Sequence, residues 1–231
     1  MRLSRFFTAI LLVSGLALTA CDSNSGLQTD TPNTETAVVK PAVKAEQSDN
    51  TQKPADAPAR PAAAANAANL LTITLKTGDV VIELADDVAP LHAARLKALA
   101  DAGEYDNVAF HRVIEGFMAQ TGDVEFGDME DGFTPNRAGT GGSSQPDIKA
   151  EFSDRKFVRG TVGMARSQDP NSANSQFFIM FADGDFLNGQ YTVVGKVIKG
   201  MENVDKIKLG DANNNGSVDN PDRMIKVRSG G

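Results

Sequence analysis

The sequence predicts a mainly β domain, an antiparallel barrel or sandwich, over roughly residues 70–231. Three observations point to it. Short β-branched or aromatic runs recur between Gly-, Asn- and Asp-rich turns. Only two segments carry helical spacing. Ten of the twelve phenylalanines fall between Phe110 and Phe186, so the apolar material for a core is concentrated there. About 160 residues bury a sizeable core without metals or disulfides.

The elements follow in order. Leu70–Leu75 and Val80–Leu84 flank Thr77-Gly78-Asp79, the pattern of a β-hairpin. Pro90 to Ala102 reads as a helix: Pro90 suits the first turn, Leu91, Leu96 and Leu99 recur at helical spacing, and Gly103 stops it. Val108–Ile114 and Phe117–Thr121 read as strands joined at Gly116. The Gly- and Asp-rich stretch 122–147 is a long loop, and such loops inside compact domains usually serve function. Thr161–Arg166, Gln176–Phe181 and Tyr191–Ile198 are further strands. Met201–Lys208 reads as a short second helix with Val204 and Ile207 inward, and Met224–Arg228 as a closing strand.

The N-terminal part differs. Arg2 and Arg5 precede about 13 mostly apolar residues, Phe6 to Leu18, short for a membrane span. Residues 1–20 therefore read as a signal peptide. Leu18-Thr19-Ala20-Cys21 resembles the bacterial lipoprotein signature, which implies cleavage before Cys21 and lipid attachment to it. A plain secretory signal or an uncleaved anchor is the alternative. Residues 22–69 lack aromatics and carry Pro32, Pro41, Pro54, Pro58 and Pro61, so 21–69 reads as a lipidated cysteine and a disordered tether. Such a coil spans roughly 40 Å root-mean-square. The expected location is the cell envelope, lipid-anchored and facing the periplasm; inner or outer membrane stays open.

The net charge of -7 and the absence of a dense Lys/Arg cluster exclude a phosphate-backbone partner. Cys21 is the only cysteine, so the domain forms no internal disulfide. His92, on the predicted helix, reads as a surface residue. His111 faces away from its neighbour Arg112 and reads as structural. Metalloprotease, hydrolase-elbow and nucleotide-loop patterns are missing. Asp211-Ala212-Asn213-Asn214-Asn215-Gly216, with Asp219 and Asp222, fits part of a calcium-loop template, or ordinary turns.

An arginine among apolar residues is expensive unless it has a partner or a task. Phe110-His111-Arg112-Val113-Ile114, Gly116-Phe117-Met118 and Gln120 resemble the arginine signature of the cyclophilin-type peptidyl-prolyl isomerases. Met164-Ala165, Ser175-Gln176-Phe177-Phe178, Phe186-Leu187-Asn188-Gly189 and Val194-Gly195-Lys196-Val197 resemble its later runs, in the same order. The resemblance covers residues 70–231. It implies a closed antiparallel eight-stranded barrel with two helices, no cofactor and no metal. It implies X-Pro isomerisation of proline-containing polypeptides, unfolded or exported. A monomer is expected, meeting the membrane through the lipid anchor at Cys21.

The resemblance assigns catalysis to Arg112, positioned by Gln120. Phe117, Met118, Phe178 and Leu187 become the walls of the proline pocket, with Phe186 and Tyr191 at its rim. The Ala165 and Arg166 backbone pairs with the peptide, and Gln176 and Gly139 border the cleft. Phe177, one step along its strand from Phe178, is expected in the core. Glu115, Thr121, Arg166, Ser167, Phe186 and Tyr191 depart from the usual family residues. Arg166 and Ser167 imply a changed peptide preference. Phe186 lacks an indole N–H, which implies weakened cyclosporin binding. A proline-peptide binding module, a holdase and a membrane-held scaffold are the rival readings.

Overall fold

The computed structural model describes residues 67–230. The signal run, Cys21 and the tether up to residue 66 lie outside the described residues, as does Gly231. Eight strands form one sheet: β1 (Leu70–Leu75), β2 (Gly78–Leu84), β3 (Arg112–Ile114), β4 (Met118–Thr121), β5 (Thr161–Met164), β6 (Phe177–Met180), β7 (Val193–Lys199) and β8 (Lys226–Ser229). The spatial order is β3-β4-β6-β5-β7-β2-β1-β8. Every pairing is antiparallel. Two helices, α1 (Pro90–Ala102) and α2 (Met201–Val204), accompany it.

The β1–β2 hairpin turns tightly, with Leu75 opposite Gly78. In β1, alternate residues Leu71, Ile73 and Leu75 enter the core. Helix α1 runs as expected and ends at Gly103 in a left-handed cap. Leu96 and Leu99 are buried as expected, together with His92, Ala93 and Ala100, while Leu91 is exposed. His92 is thus a core residue, because Glu151 reaches the helix start. Its carboxylate accepts from Leu91 N at 3.2 Å and His92 N at 3.1 Å, and meets His92 Nδ1 at 2.6 Å. A carboxylate there satisfies orphan N–H groups and faces the positive end of the helix dipole. Helix α2 is shorter than expected, yet Val204 and Ile207 both point inward.

The sheet is open, where a closed barrel was expected. β3 and β8 are its edges. Between them runs the irregular segment 210–224, which bonds to the outer side of β3. Gly210 N donates to Val113 O at 2.9 Å and Val113 N to Gly216 O at 2.8 Å. Phe110 N donates to Asp222 O, and Met224 N to Val108 O. Asn215 and Asn220 take positive φ, and Pro221 has no N–H, so this segment cannot continue a ladder. The same bonds withdraw residues 108–111 from the longer strand that the sequence predicts.

Candidate active site

Strand alternation sorts two faces. Ala119 of β4 and Phe177 and Ile179 of β6 enter the main core. Met118 of β4 and Phe178 and Met180 of β6 enter a second cluster with Phe157, Leu187 and Val193; Phe117, Ala165 and Tyr191 pack against it. Phe177 is therefore a core residue, and Phe178 belongs to the other face. Phe178 stacks on Phe157, centroids 5.8 Å apart, and meets Tyr191 edge-on at 6.0 Å. Phe186, 64% exposed, tilts over Phe117 at 5.5 Å.

Over this cluster opens a cavity of about 310 Å³, lined by Arg112, Phe117, Met118, Gln120, Ala165, Arg166, Phe178, Phe186, Leu187 and Tyr191. A second cavity of about 260 Å³ shares Gln120, Ala165 and Arg166 and adds Gly139, Thr140, Gly141, Ser167, Ser172, Asn174 and Gln176. Each domain residue singled out for the site therefore lines one cavity or the other; Cys21 is outside the described residues. Ser167 enters where a changed peptide preference was expected; Thr140, Gly141, Ser172 and Asn174 were missed. The only local sign of the first two was the glycine-rich run 139–142.

One polar chain crosses the floor. Arg112 Nη1 donates to Gln120 Oε1 at 3.2 Å and lies 4.0 Å from Met118 Sδ. Gln120 Nε2 donates to Gln176 Oε1 at 3.0 Å, and Gln176 Nε2 to Gly141 O at 2.8 Å. Burial pushes the Arg112 pKa below its ordinary value, and Tyr191 opposes this. A guanidinium stays charged through such shifts. Arg166 holds its cation along the rim, 4.3 Å over the Tyr191 ring, and donates to Ser167 O at 2.8 Å and Gln190 O at 3.0 Å.

The loop 122–147 is ordered around Asp123, which is fully buried. Its Oδ1 accepts from Glu125 N and Phe126 N, and its Oδ2 from Gly139 N at 2.7 Å and Gly141 N at 2.9 Å. This fixes the backbone that borders the second cavity. No histidine or cysteine lines either cavity. The site offers two held cations, Arg112 on the floor and Arg166 at the rim, with amides and an apolar wall.

Residues 70–229 match the family model described as cyclophilin type peptidyl-prolyl cis-trans isomerase/CLD. The chain belongs to the cyclophilin-type peptidyl-prolyl cis-trans isomerases. A probable peptidyl-prolyl cis-trans isomerase of Brucella suis biovar 1 is 65% identical over 166 residues, which cover 72% of this chain and 85% of that protein. Peptidyl-prolyl cis-trans isomerase B of Escherichia coli K12 is 40% identical over 148 residues, 60% of this chain and 84% of that one. The crystal structure of a Cryptosporidium parvum cyclophilin type isomerase in the presence of the dipeptide ala-pro is similar at 28% identity and TM-score 0.60, covering 70% of this chain and 99% of that one. This cyclophilin-type domain is thus an isomerase acting on proline-containing peptides, a reaction that breaks no covalent bond.

Proposed function

We propose that Arg112 accelerates X-Pro rotation by donating a hydrogen bond to the imide nitrogen as it twists. The barrier of about 18–20 kcal/mol comes from resonance between that nitrogen and the carbonyl. Twisting releases the nitrogen lone pair, so a donor aimed at it binds the transition state better than either planar isomer. Phe117, Met118, Phe178 and Leu187 hold the proline ring, and Gln120 orients the guanidinium. Gln176, Gly139 and the Ala165–Arg166 backbone guide the extended chain. The observation that carries this reading is a half-buried guanidinium on the boundary between an apolar wall and a line of amides.

A proline-peptide isomerisation assay tests it. Arg112→Ala is expected to lower kcat/KM about 100-fold, the scale for deleting one preorganised donor. Arg112→Lys is expected to recover little, since an ammonium lacks the planar fork. A holdase or binding module would keep its peptide affinity and owe nothing to Arg112 in rate; an unchanged rate in Arg112→Ala removes the donor mechanism.

We further propose that the enzyme works in the cell envelope, as a monomer held by lipid on Cys21. Two features support this: the tetrapeptide ending at Cys21, and the apolar run before it. Cys21→Ala is expected to move the protein from the membrane fraction to the soluble one.

A further inference from the structure

In the Asp/Asn run 211–222, the side chains of Asp211, Asn215 and Asp222 are engaged within the protein. Asp211 Oδ1 accepts from Asn213 N at 2.8 Å and caps a single 3-10 turn, Ala212–Asn214. Asp222 pairs with Lys76 Nζ at 2.5 Å and accepts from Lys208 N at 2.9 Å. Lys208 Nζ donates to the Asp219 carbonyl. Among the described residues no three His, Cys, Asp or Glu side chains gather as a metal site. The third oxygen position of the calcium template, Asn215, faces a cation already: Arg112.

Arg112 Nε donates to the Asn215 backbone carbonyl at 2.9 Å, and Arg112 Nη2 to Asn215 Oδ1 at 3.0 Å. One residue thus receives the whole Nε/Nη2 edge of the guanidinium, while Gln120 receives Nη1. Asn215 sits at φ 51°, a left-handed conformation that asparagine tolerates better than most residues. Its loop is locked to the strand that carries the arginine. Val113, next to Arg112, bonds to Gly210 and Gly216 through both its carbonyl and its N–H. Gly216 has φ +77°, and a Cβ there would stand 2.5 Å from Ile114 Cγ1, so the contact requires glycine.

We propose that Asn215 is a positioning residue for isomerisation: it clamps the Nε/Nη2 edge and so fixes the plane in which Arg112 presents itself to the proline pocket. The inference rests on the reading of Arg112 as the donor. A free arginine carries about 2 kcal/mol of rotamer entropy. Two acceptors on a locked loop remove much of that freedom before substrate arrives, which is how preorganisation lowers a barrier. Asn215 does not line the cavity over Phe178, so the clamp acts on rate and leaves ground-state binding alone.

Asn215→Gly keeps the backbone carbonyl and the left-handed form, and of the two bonds to Arg112 it removes only the one to Oδ1. It is expected to lower kcat about fivefold, the equivalent of one modest hydrogen bond, with KM for a proline peptide unchanged. The Arg112 Nη2–H NMR signals are expected to lose their dispersion, while Nε–H keeps its carbonyl acceptor. In an Arg112→Lys background the Asn215→Gly effect is expected to vanish. Asn215→Asp is the second variant should glycine unfold the loop; it keeps a side-chain acceptor and is expected to keep the Nη2–H signals. A raised KM at full kcat, the same fivefold loss in the Arg112→Lys background, or loss of the signal in Asn215→Asp overturns the proposal. Arg112→Ala separates the two levels. If it leaves the rate intact, the donor reading fails; if it collapses the rate while Asn215→Gly does not, only the clamp fails.

Discussion

Arg112 and Gln120 stand directly opposite each other in the β3–β4 ladder, and Arg112 Nη1 donates to Gln120 Oε1 across it at 3.2 Å. Gly116, at φ 67°, makes the turn that folds the two strands back on each other. Register, rather than loop flexibility, therefore sets the pair. Gln120 is held in turn by Gln176, and Gln176 by the Gly141 carbonyl.

Gln120→Ala removes one acceptor from Arg112 and breaks the amide chain. It is expected to lower kcat/KM about tenfold, the value of one hydrogen bond to a charged group. Stopped-flow isomerisation of a proline peptide measures it. A full rate in this variant would detach Gln120 from the orientation of Arg112.

Gly163 decides how closely Phe178 packs. A Cβ on Gly163 would lie 2.5 Å from Phe157 Cε1 and 2.5 Å from Phe178 Cζ. Both rings are buried and stacked, so neither has room to retreat. Gly163→Ala is expected to destabilise the domain by about 1–3 kcal/mol through overpacking. It should also push Phe178 into the cavity and raise KM for proline peptides. Thermal unfolding and KM are read together; if neither moves, the wall is softer than its packing implies.

Asp123→Ala leaves the N–H groups of Glu125, Phe126, Gly139 and Gly141 without their acceptor. Unsatisfied buried donors cost about 1–3 kcal/mol each, and water reaching an opened loop relieves part of that. A loss of about 3 kcal/mol in urea unfolding is expected, with faster hydrogen exchange at Gly139 and Gly141. Asp123→Asn is expected to recover little, because its NH₂ group has no lone pair for two of the four donors.

How legible each part was in the sequence depended on how local its cause is. The β1–β2 hairpin and α1 follow from turn residues and spacing within a few positions. Arg112 and Gln120 flank one glycine turn, and Phe177 and Phe178 separate by simple alternation. The burial of His92 on α1 was not local: Glu151 arrives from 59 residues away to meet it. The length of β3 was not local either, since its edge is taken by the segment 210–224. Asp123 and Asn215 look like any loop polar residue until the chain returns. Asn215 meets Arg112 across 103 residues, a distance at which composition says nothing about partners.

The two histidines give the domain a pH dependence with a defined sign. Burial pushes His111 from 6.5 down to about 4; the Asp123 charge opposes this, and Arg112 adds to it. Burial also lowers His92, opposed by Glu151. Above pH 6.5 both rings are neutral whether the chain is folded or not, and stability is at its full value. As the pH falls below 6.5, the unfolded chain takes up protons that the fold refuses. Stability therefore declines between about pH 6.5 and 4, and the His111 contribution levels off below about 4. For His111 that shift corresponds to about 3 kcal/mol at 1.36 kcal/mol per pH unit. Carboxylates titrate at the lower end of the same window, so the informative quantity is the difference between the native chain and His111→Gln. Urea midpoints at pH 7, 5.5 and 4.5 are expected to fall more steeply in the native chain. Parallel slopes would mean that water reaches the His111 ring despite its burial, although Gly139 packs so close to that ring that an added Cβ would stand 2.9 Å from His111 Cδ2.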